Sequence, residues 1–128
     1  MQLTKIHHIA IICSNYERSK KFYTQVLGLP VIHETFRAER NSYKLDLAVG
    51  NQAQIELFSF FNPPERISQP EARGLRHLAF QVENIDQAVQ ELKENQVSCE
   101  PIRVDAITGK RFTFFADPDG LPLELYEL

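Results

Sequence analysis

The sequence predicts an α+β fold built from two tandem βαβββ modules that form a curled mixed sheet, chiefly because one pattern occurs twice. The tetrapeptide HIAI at 8–11 returns as HLAF at 77–80, and IELF at 55–58 returns as LELY at 123–126. The separations also agree, since Glu56 follows His8 by 48 positions and Glu124 follows His77 by 47. We therefore interpret residues 1–128 as one domain with a first repeat at 1–61, a linker at 62–73 and a second repeat at 74–128.

The first repeat contains signals for a strand, a helix and three further strands. Alternating apolar residues at 4–13 predict a strand, and residues 14–17 have the S-x-x-E form of a capping box, so a helix is expected to begin there. Gly28 and Pro30 are stop signals for that helix. Later strands are predicted at 31–38, 43–49 and 53–61.

The second repeat follows the same order. A strand is predicted at 75–83, and a helix that begins near Asn84 to Asp86 carries one apolar face formed by Ile85, Ala88, Val89 and Leu92. Strands are expected at 98–105, 110–116 and 121–127. The sequence DPDG at 117–120 predicts a tight turn between the last two strands.

Composition limits the kinds of partner. A net charge of −3 argues against binding to nucleic acid, which requires a basic surface. No apolar run approaches the roughly 18 residues that span a membrane, so no membrane role is expected. Cys13 and Cys99 form no C-x-x-C pair, and the sequence opens without a secretory pattern, which favours a reducing, cytoplasmic location.

Four polar residues interrupt apolar strands at equivalent positions. Because strand side chains alternate, the apolar neighbours of each residue face the helices, and His8, Glu56, His77 and Glu124 face the other way. A carboxylate there is costly unless it is compensated, and two imidazoles with two carboxylates suit a cation. The pattern predicts one divalent ion per site, which could be Ni, Zn, Co, Mn or Fe because the donors do not distinguish them.

Each of these residues also has an ordinary interpretation. A single strand histidine is commonly hydrogen-bonded or exposed, and a single strand glutamate commonly faces solvent or an arginine. The repeat favours the metal because it aligns His8 with His77, whereas His7 aligns with Arg76 and His33 has no counterpart. Two further sets are left open: cations that could contact an anionic substrate but are expected to be solvated (Arg37, Lys110, Arg111), and aromatic residues that could line a pocket or belong to the core (Phe58, Phe60, Phe114).

These motifs resemble the vicinal oxygen chelate superfamily, which includes glyoxalase I, methylmalonyl-CoA epimerase, extradiol dioxygenases and bleomycin resistance proteins. The resemblance covers the whole chain and is closest to short bacterial glyoxalase I-like proteins. It is carried by HIAI, Phe22-Tyr23, Leu27-Gly28, HLAF, DPDG and Leu123-Glu124. In that branch the metal ligands are His, Glu, His and Glu, at the positions of His8, Glu56, His77 and Glu124 here.

The resemblance implies a metal-dependent lyase, similar to lactoylglutathione lyase, or an isomerase. The substrate would be a small molecule with vicinal oxygens, of the hemithioacetal type, converted through an enediolate with Glu124 and Glu56 as the proton-transfer carboxylates. The alternatives are an epimerase of the same superfamily and a non-catalytic protein that binds or sequesters a small molecule. A homodimer that shares its sites between subunits is also implied. Ile12 and Phe60 stand where that branch holds glutathione through Arg and Asn, so glutathione is predicted to be a poor thiol.

Overall fold

The computed structural model describes residues 1–128, which form two compact units, 1–64 and 65–128. The first unit contains β1 (His8–Cys13), α1 (Tyr16–Lys21), β2 (Val31–Arg37), β3 (Ser42–Val49) and β4 (Ala53–Ser59). Its four strands lie in the order β1-β4-β3-β2. Strand β1 is parallel to β4, and the other neighbouring strands are antiparallel.

The second unit repeats this topology. It contains β5 (Leu78–Val82), α2 (Ile85–Glu94), β6 (Arg103–Val104), β7 (Arg111–Ala116) and β8 (Pro122–Glu127). The strand order is β5-β8-β7-β6, with β5 parallel to β8 and the other neighbours antiparallel. The predicted α+β fold class, with two βαβββ modules, is therefore confirmed. None of the helices is long and apolar enough to cross a membrane.

The first helix begins one residue later than a capping box at Ser14 would require. Asn15 is the N-cap, and its side-chain oxygen accepts a hydrogen bond of 3.0 Å from the backbone N–H of Arg18. After Lys21 the helix widens into a π-helical turn at Phe22–Val26, which the sequence pattern did not indicate. The chain leaves the turn at Gly28, where φ is +68°, so the predicted stop is confirmed.

Three strands begin three or more residues later than predicted because the missing residues have no ladder partners. Strand β1 begins at His8, which pairs with Gln54 near the start of β4, and the residues predicted before it lie outside the ladder. Strand β5 likewise begins at Leu78 rather than at residue 75. Strand β6 keeps two residues of the predicted 98–105. Pro101 cannot donate there, and Glu100 is held instead by its N–H bond to the Phe114 carbonyl, 2.8 Å.

The core of each unit lies between the helix and one face of the sheet. Helix α1 packs against β4, and α2 packs against β8. The apolar neighbours of Glu56, Ile55 and Leu57, are fully buried, and so is Leu123 beside Glu124. The polar residues lie on the strand faces opposite the helices. This alternation between the two faces positions the candidate site.

Helix α2 provides a stability test. The Asn84 side chain accepts a hydrogen bond of 3.0 Å from the backbone N–H of Gln87, and Ile85, Val89 and Leu92 are buried below the cap. Asn84→Ala is expected to lower the free energy of unfolding by about 1 kcal/mol, because a first-turn N–H loses its acceptor. Urea denaturation measures this change. Asn84→Ser and Asn84→Asp should restore most of it, and an equal loss in all three variants would contradict the capping role.

Candidate metal centre

The first unit places an imidazole against a carboxylate on its polar face. His8 lies on β1 and Glu56 on the neighbouring β4, and His8 Nε2 is 3.6 Å from Glu56 Oε2. In the parallel register Glu56 lies opposite Ala10, so on the β1 side the carboxylate has a methyl group as its direct neighbour. The His8 side chain is 43% exposed and that of Glu56 is 15% exposed. Both can therefore be reached from outside the unit.

The second unit places an equivalent pair in the same register. His77 directly precedes β5, and its Nε2 is 3.1 Å from Oε2 of Glu124 on β8. Glu124 lies opposite Ala79, as Glu56 lies opposite Ala10. Glu124 is the more enclosed carboxylate, with 11% of its side chain exposed. The repeat in the sequence is thus a repeat in geometry.

The spacing within each pair fits a shared cation. Ligand atoms about 2.1 Å from one ion are about 3.0 Å apart at a right angle and about 3.4 Å apart at the tetrahedral angle. The observed separations of 3.1 and 3.6 Å lie close to these values. Nitrogen and oxygen donors of this kind suit a divalent transition metal. No three His, Cys, Asp or Glu side chains of the chain gather into one potential metal cluster.

The residue before each histidine contacts the ring nitrogen that faces away from the carboxylate. His7 Nδ1 is 2.9 Å from His8 Nδ1, and Arg76 Nη1 is 3.4 Å from His77 Nδ1. Both contacts help to orient the imidazole rings, and because a guanidinium can only donate, His77 Nδ1 accepts the second one. His7 and Arg76, which are aligned in the two repeats, therefore make equivalent contacts with the histidines that follow them. His33 is exposed on β2.

Sequence reasoning missed two residues next to Glu56. Lys44 Nζ on β3 lies 2.7 Å from Asp46 Oδ1 and 3.1 Å from Glu56 Oε1. These hydrogen bonds, first to Asp46 and then to Glu56, raise the pKa of Lys44. The alternation of strand side chains could have indicated them. Lys44 and Asp46 are two residues apart on β3 and so lie on the same face, and Asp46 pairs directly with Glu56. The second unit has Phe114 opposite Glu124, so the first pair has a charged neighbour where the second has an aromatic one.

The second unit also contains a cavity of about 640 Å³ beside its histidine, lined partly by His77, Arg76, Cys99, Arg103, Phe114 and Pro122. This volume is typical of sites for small organic ligands. Phe114 packs edge-on against His77, with ring centroids 5.1 Å apart. Burial raises the pKa of the Cys99 thiol. Phe114 therefore lines a pocket, one of the two roles left open by the sequence.

The three cationic residues whose role the sequence left undecided have different surroundings. Arg111 binds Glu127 at 2.7 and 2.9 Å and Asp86 at 2.9 Å, so it ties β7 to β8 and to the start of α2. These two acids raise the pKa of Arg111, and Arg111 lowers that of Glu127. Lys110 Nζ donates to the Leu128 carbonyl at 2.6 Å. Arg37 is half-buried rather than solvated.

A protein-family model matches nearly the whole chain. Residues 5–125 match the model of the Glyoxalase/Bleomycin resistance protein/Dioxygenase superfamily. The chain belongs to this superfamily. It is 65% identical over 127 residues to YwkD of Bacillus subtilis, an uncharacterized protein, and the match covers 99% of each chain. The solved structure of a glyoxalase family protein from Enterococcus faecalis is 51% identical, with a TM-score of 0.91, and the match covers 99% of this chain and 100% of that one.

More distant superfamily relatives carry names of enzymes. Metallothiol transferase FosB of Staphylococcus epidermidis is 29% identical over 129 residues, covering 98% of this chain and 83% of that protein. The mitochondrial methylmalonyl-CoA epimerase of Bos taurus is 28% identical over 131 residues, covering 96% of this chain and 74% of that protein. The superfamily thus includes enzymes of several reaction types.

Proposed function

We propose that this chain is a metal-dependent lyase or isomerase of the glyoxalase I kind that acts on a small substrate with two neighbouring oxygens. One observation carries the proposal: each unit holds a histidine Nε2 against a glutamate oxygen at equivalent places, 3.6 Å apart in the first unit and 3.1 Å in the second. His8, Glu56, His77 and Glu124 would together hold one divalent ion. Each unit supplies two of these four ligands, so we propose a homodimer in which pairs from different subunits meet.

The bound cation would supply electrostatic stabilisation of the negative charge that develops on the substrate oxygens when a neighbouring C–H bond loses its proton. The chain's own contribution is a carboxylate that removes the proton and returns it to the adjacent carbon. Glu56 and Glu124 are the two carboxylates beside the histidines. The same proton removal begins a lyase, an isomerase or an epimerase reaction, and these reactions differ in the carbon or the face to which the proton returns.

The two carboxylates differ in their charged neighbours. Glu56 Oε1 is engaged by Lys44 at 3.1 Å, and this contact holds the carboxylate in place. Glu124 has no ion pair to lysine or arginine, and its one ion-pair contact is with His77. We therefore propose Glu124 as the group that moves the substrate proton and Glu56 chiefly as a ligand.

Turnover of hemithioacetals tests the proposal and identifies the thiol. The glutathione adduct of methylglyoxal is expected to react with kcat/KM below roughly 10⁴ M⁻¹s⁻¹, under the usual range for good enzymes. The physical reason is that Ile12, 54% exposed, and Phe60 offer no polar side chain to a peptide-like thiol.

Adducts of cysteine, mercaptoacetate and coenzyme A should be compared under the same conditions in a spectrophotometric assay. At least one should exceed the glutathione adduct, and Glu124→Gln should remove the activity. Efficient turnover of the glutathione adduct would refute the thiol prediction. Absence of turnover with every adduct on metal-loaded protein would contradict the lyase assignment.

A further inference from the structure

Arg37, at the end of β2, is held on the polar face of the first unit by aromatic rings. Its guanidinium carbon lies 4.8 Å from the ring centroid of Phe58 and 5.7 Å from that of Phe60. The two rings are nearly parallel, at 12°, with centroids 5.9 Å apart. Phe58 follows Glu56 by two residues on β4, so the alternation of the strand places both side chains on one face. The arginine is therefore a fixed cation on the same face as the His8 and Glu56 pair.

This cation has no anion of its own. Arg37 Nη2 donates to the Ser42 hydroxyl at 3.0 Å, whereas its Nε is buried without a hydrogen-bond partner. None of its ion-pair distances to a carboxylate falls within 4.0 Å, in contrast to Lys44 on the neighbouring strand, which binds two acids. A half-buried guanidinium with unused donors is costly, because buried polar groups normally find partners.

The second unit provides an internal comparison. Arg103 on β6 rests on Phe112 and Phe114 in the same manner, at 4.9 and 5.7 Å from their ring centroids. Its Nη2, however, binds Glu100 at 3.0 Å. An arginine on a pair of phenylalanines thus occurs in both units, and the first unit leaves its arginine without a carboxylate. Of the two, Arg37 is the one whose charge is not paired with a carboxylate of the chain.

We propose that Arg37 binds an oxyanion of the substrate, a carboxylate or phosphonate, and so makes the site selective for small organic anions. This inference rests on the proposed function, because it places the anion on the molecule whose vicinal oxygens lie near Glu56. A planar guanidinium binds such oxyanions through two parallel hydrogen bonds, and its support on two rings reduces the entropy lost on binding. At about 3.3 Å per residue of extended chain, Phe58 on β4 and Phe60 just beyond its end place the anion roughly 7–13 Å from Glu56.

Two chelating probes of equal length separate the arginine from the metal. Suberic monohydroxamic acid and octanohydroxamic acid present the same vicinal oxygens, and one ends in a carboxylate where the other ends in a methyl group. Calorimetric titration of Ni²⁺-loaded wild-type protein is expected to show about 10-fold tighter binding of the carboxylate probe, as for one charge-assisted contact. Arg37→Met should abolish that preference and leave the methyl probe unaffected.

Arg40→Met is the matched control, because it removes the same charge from an exposed position just beyond β2 and should keep the preference. Arg37→Gln replaces Arg37→Met if the methionine variant does not fold. Equal affinity of both probes for wild-type protein, or a preference that survives loss of Arg37, overturns the inference and leaves the proposed function standing.

If neither hydroxamate binds, the proposed function fails, and the arginine is then judged on metal-free protein titrated with methylphosphonate. A saturable shift of the Arg37 Nε–H signal in NMR spectra, absent from Arg37→Met, supports the anion site. An unshifted signal overturns it.

Discussion

His77→Ala and Glu124→Gln are each expected to bind metal at least 100-fold more weakly than wild-type protein, which should contain about one ion per chain. Substitutions of residues that merely support a metal ligand cost about 10–100-fold in affinity, so loss of a ligand should cost more. Glutamine has the shape of glutamate and lacks its charge, which separates the chemistry of the ligand from its packing. Elemental analysis by mass spectrometry after equilibration with Ni²⁺, Zn²⁺, Co²⁺ or Mn²⁺ measures the content.

The chain offers matched controls for both substitutions. His33→Ala removes an exposed histidine from β2, and Glu39→Gln neutralises an exposed carboxylate in the turn that follows β2. Both should retain full metal content. Wild-type protein that stays metal-free in all four metals would refute the site and favour the non-catalytic binding protein instead.

The fold could be predicted from the sequence because its main signal is non-local and redundant. Similar tetrapeptides in the same order and at nearly the same spacing define two modules, and strand parity then separates the buried Ile55 and Leu57 from Glu56 between them. Signals that depend on a single local choice were less reliable. Ser14 and Asn15 are both favourable N-cap residues. Asn15 is the N-cap because the backbone is extended at that residue. Strand β6 has only two residues because its extent is set by pairing with β7, which the sequence of residues 98–105 does not reveal.

The candidate site was only partly predictable for a related physical reason. The repeat identifies residues that both units share, so it finds the two histidine and glutamate pairs and omits what is particular to one unit. Lys44 and Asp46 have no charged counterparts on β7, and Arg37, unlike Arg103, has no acid within ion-pair distance. The separate roles that we propose for Glu56, Glu124 and Arg37 rest on these differences between the two units.

Loss of one pair of ligands should be repaired by a second chain that carries the other pair. In the proposed homodimer, His8 and Glu56 of one subunit meet His77 and Glu124 of its partner, and this arrangement also covers strand edges that would otherwise be open to pairing. A linker of about 12 residues, at up to ~3.3 Å each, could span ~40 Å and therefore permits sites within a chain as well as between chains. The two arrangements make different predictions for mixtures of variants.

A His8→Ala chain mixed with a Glu124→Ala chain should recover activity and metal after subunit exchange, although each variant alone has neither. Random exchange makes about half of the dimers mixed, and one of the two sites in each mixed dimer is intact, so about a quarter of the wild-type level is expected. A mixture of His8→Ala with Glu56→Ala is the control, since both changes damage the same pair and every site in every dimer stays defective. Recovery in the first mixture and none in the control places the site between subunits. If the first mixture performs no better than its components, although native mass spectrometry detects mixed dimers, each site lies within one chain.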